Sequence, residues 1–344
     1  MKKIIRVFPQ RTSYTPTDDY VFIGAPPALF IPPHDEVHVS CIFTWDKAYC
    51  ESLKYQWEAF TDKPVLIGGP AYGSGCDSFT PGMYVKRGIT FTSRGCNNIC
   101  PWCLVPEREG PLCELPITPG NIIQDNNFLQ CSRTHKEKVF DMLKIQRGIC
   151  FKGGLQVDLI DSHFINAICG LRISELWLAC DTDGDIPVFT DAATRLTKAG
   201  FNRNKIKCYA LIYDDMEASE QRLQAIYKAG AMPFAQLYQP IGDERKEYSA
   251  DWKKFQRMWS RPPAIIAHVI HGTDYRDYNT EVDIMKAIIR TVNRSELGEY
   301  LALRESAEIL DVDGTEYYVE SISYTLNSRY FTARLMEVVR FKDQ

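Results

Sequence analysis

Between residues 88 and 238 the chain alternates short runs of apolar, β-branched and aromatic residues with helix-period stretches, and nothing else in it restricts the fold so strongly. Six such runs stand at 89–93, 121–124, 149–152, 175–180, 206–212 and 233–238. Nearly continuous apolar runs suit strands buried on both faces, and strands separated by helices pair in parallel. The expected class is α/β, with helices over a parallel sheet or barrel. Val139, Met142 and Leu143 share one helical face, and Phe189, Ala192, Ala193 and Leu196 share another. Lys198-Ala199-Gly200 and Lys228-Ala229-Gly230 each place a cation in a last turn and a glycine just beyond it, where left-handed backbone costs least.

Residues 1–86 read as a small Rossmann-like α/β layer, with strands at 20–24, 37–44 and 65–67 and a helix over 47–60. The glycine-rich run from Gly68 to Gly75 lacks the G-x-G-x-x-G order of a dinucleotide loop and reads as a turn. Residues 87–272 form the core with its closing helix, through the amphipathic segment of Trp252, Phe255 and Trp259. Arg261-Pro262-Pro263 is expected to end that helix and the domain. Over 273–344 a helix near 282–292 precedes strands at 309–312, 317–319, 321–326 and 330–338, with hairpin turns at Asp313-Gly314 and Asn327-Ser328. Residues 296–344 carry ten acidic and five basic side chains, a net of -5, so this tail is an acidic β-rich module.

Hydrophobic residues at 45% and charged ones at 24% fit a globular protein and exclude collagen-like, coiled-coil and disordered classes. Apolar stretches such as 264–270 are too short for a bilayer, and Met1-Lys2-Lys3 leads into a mixed segment, so no membrane partner and a cytoplasmic location are expected. The net charge of -4 does not favour a general grip on nucleic acid. Twelve cysteines without a secretory signal point to metal or redox chemistry before disulfides.

The cysteines that carry information are Cys96, Cys100 and Cys103, a C-x3-C-x2-C array within TSRGCNNICPWCLVPEREG, directly after the first run of the series. Three thiolates on one loop suit an iron–sulfur cubane that keeps one iron without a protein ligand. A structural zinc would need a fourth ligand, which Cys113 supplies only across a long, proline-containing excursion. A plain structural loop is the third alternative.

With Trp102 just before the third cysteine, the array resembles the signature of the radical S-adenosylmethionine (SAM) enzymes. The resemblance implies a partial (β/α)6 barrel whose active face lies at the strand C-termini. It also implies that Cys96, Cys100 and Cys103 hold a [4Fe-4S] cluster whose fourth iron is chelated by SAM. An electron from a reductase or flavodoxin-like donor would then split SAM to a 5′-deoxyadenosyl radical that abstracts hydrogen from a substrate. Gly153-Gly154-Leu155 resembles the Gly-Gly-Glu element that receives the SAM amino group, with Leu155 in place of the acid. Asp181, ending the fourth strand, resembles a contact to the SAM ribose or carboxylate, and a helix N-cap explains it equally well. Gln236 would lie near adenine, although a polar strand position is its even rival.

Other residues at strand ends are substrate-facing candidates on position alone. Asp125 and Asn126, within Gln124-Asp125-Asn126-Asn127, close the second strand, and Tyr213 with Asp214 and Asp215 closes the fifth. Turn chemistry is the competing account of the latter set. Asp161-Ser162-His163 reads as a helix cap, and most of the remaining cysteines as buried thiols.

Within the family, an α/β layer before the barrel resembles both the methylthiotransferases and the cobalamin-dependent enzymes. The cobalamin motif Asp-x-His-x-x-Gly is missing from the N-terminal region. Cys41, Cys50 and Cys76 match the number of second-cluster ligands in methylthiotransferases without their wide spacing, and the acidic tail argues against a phosphate-backbone grip. The N-terminal layer is therefore expected to be a degenerate relic or a substrate cap. The substrate stays unidentified. The alternatives are a methylthiotransferase acting on a macromolecule and a non-catalytic iron–sulfur or zinc interaction protein.

Overall fold

Ile4–Phe8, a five-residue apolar run interrupted by Arg6, becomes a central strand of the N-terminal sheet. The structure is a computed structural model that describes residues 2–28, 30–73, 79–240, 242, 244–272, 287–306, 310–312, 315–323 and 330–337. Its strands β1 (Ile4–Phe8), β2 (Val21–Ile23), β3 (Glu36–Ser40) and β4 (Val65–Gly68) pair in parallel in the order β2-β1-β3-β4. Helix α1 (Lys47–Phe60) buries Cys50, Leu53 and Trp57 against Ile5, Val7, Val37 and Val39. Strand β1 was not among the expected strands. Arg6 sits inside it only 6% exposed, because its guanidinium donates to the carbonyls of Gly82 and Met83 and pairs with Asp18.

The six expected runs form a second sheet. Strand β5 (Ile89–Thr90) leads to the two-residue strand β6 (Ser93–Arg94), helix α2 (Val105–Glu109) and β7 (Cys113–Glu114), which pairs antiparallel with β6. Then come β8 (Ile122–Ile123), α3 (Arg133–Leu143), β9 (Ile149–Leu155), α4 (Ser162–Cys169), β10 (Ile173–Ala179), α5 (Ile186–Lys198), β11 (Ile206–Ile212), α6 (Met216–Lys228) and β12 (Met232–Leu237). The sheet order is β12-β11-β10-β9-β8-β5 with every pair parallel, so each strand lies beside the next one in the chain. The sheet is open, with β5 and β12 as its edges. Alternation along β10 and β11 buries Leu176, Leu178, Ile206, Cys208 and Ala210 on one face. On the other face Trp177 stacks on Tyr209 at 4.4 Å and Lys152 pairs with Glu175 at 3.1 Å.

Helices α7 (Ala250–Met258) and α8 (Pro262–His271) follow in the same unit. Pro262 and Pro263, expected to end a helix, begin one. The first helical turn needs no N–H partner there, so proline costs little in that place. Among the described residues no helix is long and apolar enough to cross a membrane.

A separate unit spans Arg276–Gln344. Strands β13 (Ala287–Asn293), β14 (Leu310–Val312), β15 (Thr315–Ser323) and β16 (Tyr330–Glu337) form an antiparallel sheet in the order β13-β16-β15-β14. Helix α9 (Leu297–Ser306) contributes Tyr300 to a core with Val292, Tyr317, Val319, Ala333 and Leu335. The helix expected near 282–292 is corrected here. The β-branched run AIIRTVN is strand β13, residues 282–286 lie outside the described residues, and the helix comes after the strand. The expected turns at Asp313-Gly314 and Asn327-Ser328 also lie outside the described residues.

Candidate functional site

The C-terminal end of β5 carries the cysteine loop, and backbone contacts cinch that loop at its base. Cys96 N–H donates to the Gly110 carbonyl at 3.2 Å, and Leu112 N–H to the Asn97 side-chain oxygen at 3.0 Å. Gly95 has φ +73°, and a Cβ there would stand 2.2 Å from the Pro111 carbonyl oxygen, so only glycine fits. Glu109 is 5% exposed and is held by Arg94 at 3.5 Å and Arg108 at 2.5 Å, which ties α2 back to β6.

Cys96, Cys100 and Cys103 are free and half-buried thiols. Burial pushes Cys100 up, and the neighbouring Cys103, Cys96 and Asp181 add to it. Burial likewise raises Cys103, with Cys96 and Asp181 adding, against the Val105 N–H and Arg108, which favour its thiolate. The three sulfurs and the Asp181 carboxylate therefore share one electrostatic neighbourhood. Among the described residues no group of three His, Cys, Asp or Glu closes on a single ion-sized point. A cubane asks for a different arrangement, since each thiolate meets its own iron corner, and the donor set of three free thiols on one loop fits it. Cys113 is disulfide-bonded, although the sequence ranked metal or redox chemistry ahead of disulfides. The loop's prospective fourth zinc ligand is thereby taken.

Asp181 follows β10 and accepts from Leu211 N–H at 3.1 Å. Burial pushes its carboxyl up to about 6, opposed by the Leu211 N–H, Arg222 and the Trp102 indole. It is not the helix cap. Thr182 fills that role in a reciprocal box with Asp185. Gln236 pairs in register with Leu211 and is exposed, so it lies one strand beyond the Asp181 contact. Tyr213 packs against Tyr238 at 5.6 Å. Beside it Asp214 adopts φ +56° while Asp215 N–H donates to the Tyr213 carbonyl at 2.6 Å, a strained γ-turn at the end of β11.

No protein-family model matches this chain, and no curated protein matches it.

Asp125 does not face open space. It is 2% exposed and accepts from Thr92 and Ser93, with burial raising its carboxyl against those donors. Gly153 abuts the same segment, for a Cβ there would come within 1.5 Å of the Asp125 carbonyl oxygen. Gly154 has φ +91° and open space around it. Asn126 keeps a buried side-chain oxygen with no hydrogen-bond partner. Asp161 caps α4 through Phe164 N–H at 2.7 Å, as expected. Cys41 and Cys50 are fully buried free thiols, the nearby Cys50 raises Cys41, whose sulfur donates to the Phe43 carbonyl at 3.3 Å, and Cys76 lies outside the described residues.

Sequence reasoning placed Asn127 at the end of the second strand but missed the amide cluster around Cys96 that it forms with Asn98, Gln130 and Gln156. Gln156 Oε1 accepts from Asn127 at 2.7 Å, Gln130 at 2.9 Å and Asn98 at 3.0 Å. Gln130 Oε1 accepts from Asn97 N–H at 2.8 Å. The only signal in the sequence is that all four amides follow the ends of strands; no spacing links them.

Proposed function

We propose that this chain is a radical SAM enzyme in which Cys96, Cys100 and Cys103 hold a [4Fe-4S] cluster at the C-terminal face of a partial (β/α)6 barrel. The observation that carries the reading is the set of three free, mutually interacting thiols on a cinched loop, at the end of the first of six sequentially paired parallel strands. Ligands of parallel α/β sheets bind at that end. A cluster held there supplies the single electron that cleaves SAM reductively.

The chain's own residues would bind and orient SAM. At neutral pH Asp181 is ionised and can only accept, which suits the hydroxyls of a ribose, and the Leu211 N–H holds it in place at 3.1 Å. The open space beside Gly154 leaves room for an amino group at the end of β9, while Gly153 packs against the Asp125 backbone. Gln236, exposed beside Leu211, is placed for the adenine side. Tyr213 and Asn126, at the ends of β11 and β8, remain substrate-facing candidates, while Asp125 positions the loop. A reductase or flavodoxin-like protein would donate the electron, and a reducing cytoplasm is the setting in which it operates.

Anaerobic reconstitution tests this. The loaded chain should release 5′-deoxyadenosine from SAM on reduction with dithionite, and replacing the three cysteines by alanine should abolish both iron binding and release. A cluster with no SAM cleavage, or bound zinc in its place, would overturn the reading.

A further inference from the structure

Cys96 differs from the other two loop cysteines in what reaches its sulfur. The backbone N–H of Asn98 approaches at 3.4 Å and the side-chain amide of Asn127 at 3.7 Å. Among the described residues, no side-chain N–H donates to Cys100 or Cys103. The orientation of the Asn127 amide follows from its neighbours. Asp158 can only accept, so Gln156 must turn its NH2 toward that carboxylate at 3.1 Å and its oxygen inward. The inward oxygen then requires the NH2 end of Asn127, which places the second Asn127 hydrogen beside the Cys96 sulfur.

Asn127 is 4% exposed, and its own side-chain oxygen is buried with no partner. A polar side chain kept in such a place at the cost of an unpaired acceptor is not explained by stability alone. Its N–H end is the part the structure uses.

We infer that Asn127 is a positioning residue that sets the reduction potential of the cluster by donating a hydrogen bond to the Cys96 sulfur, together with the Asn98 N–H. This rests on the reading of the three cysteines as cluster ligands. Hydrogen bonds to a ligand sulfur draw off negative charge and so favour the more reduced cluster. Losing one makes the cluster harder to reduce. The effect acts on Cys96 alone, because Gln130 Oε1, the other group near that sulfur, is an acceptor and cannot replace the donor.

The test is a potentiometric titration, followed by electron paramagnetic resonance, of the reconstituted full chain and of Asn127→Leu, which keeps the shape and removes the donor. The expected result is unchanged iron per chain with a midpoint more negative by about 59 mV, a tenfold change in a one-electron equilibrium. An unmoved midpoint overturns the inference. Should Asn127→Leu lose the cluster, Asn127→Met, also uncharged and without a donor, decides: a more negative midpoint supports tuning, whereas an unmoved midpoint or a second loss of the cluster assigns Asn127 to assembly and overturns it. A wild-type chain that binds no iron–sulfur cluster would instead overturn the proposed function. A wild-type chain that binds the cluster and cleaves SAM, with a midpoint indifferent to Asn127, overturns this inference only.

Discussion

Thr92 is held to Asp125 twice, by its backbone N–H at 2.6 Å and by its hydroxyl at 2.5 Å. The hydroxyl of Ser93 adds a third bond at 2.9 Å. Through these bonds the segment after β8 fixes Thr92 and the start of β6, two residues before the glycine that opens the cysteine loop. A residue that looked like a substrate contact in the sequence is therefore a strut beneath the cysteine loop.

Replacing Asp125 by alanine leaves three buried donors without an acceptor. The expected cost is about 3–5 kcal/mol, with a lower unfolding midpoint and less iron per chain after reconstitution. Full stability and iron with lost turnover would return Asp125 to a substrate-facing role.

The paired glycines after Lys152 should respond differently to alanine. At Gly153 the added methyl would lie 1.5 Å from a backbone oxygen that cannot move aside, so Gly153→Ala should fail to give a stable fold. At Gly154 only the positive φ opposes it, and the loss should be about 1–2 kcal/mol. Equal losses of soluble, folded protein in the two variants would contradict this geometry.

Gly95→Ala should separate loop closure from global stability. Its methyl would meet the Pro111 carbonyl at 2.2 Å, at the neck of the loop and away from the helix-covered face of the sheet. We expect far-ultraviolet circular dichroism like that of the parent and a marked fall in bound iron. Parental iron content would mean that the neck tolerates opening.

Asp181 makes a prediction about pH. Its carboxyl is raised from 3.8 to about 6, chiefly by burial, so the folded chain holds that proton more tightly than the unfolded chain does. The resulting stabilisation is present in full below the unfolded value of 3.8 and is lost as pH rises through about 6. Asp181→Asn should flatten the apo chain's unfolding free energy between those values and add up to about 3 kcal/mol at pH 7. Denaturant titrations from pH 4 to 7 measure it, and an unchanged slope would rule the shift out.

Much of the fold was legible locally. Helix 47–60 and strand 206–212 appear with the expected bounds, because an apolar period and its end signals lie within a dozen residues. Strand β1 was missed because five residues broken by an arginine resemble a polar terminus until Gly82 and Met83 supply the carbonyls that bury it. The segment 282–292 read as helix because the apolar residues of its later part satisfy both periods over so short a span. Pairing with β16 decides it.

The chemistry divides in the same way. Spacing along one loop determined that Cys96, Cys100 and Cys103 would present three thiols together, and strand endings determined that Asp181 would lie at the same end of the sheet, since both depend on neighbours in the chain. Only the tertiary structure decided that Asp125 is a buried strut, that Cys113 is taken by a disulfide, and that Asn127 leans on Cys96. Those outcomes depend on groups that meet only when separate strands pair side by side; Asn127 and Cys96 are 31 residues apart. A hydrogen bond is set by distance and direction in space, and sequence order constrains neither once the chain has turned back on itself.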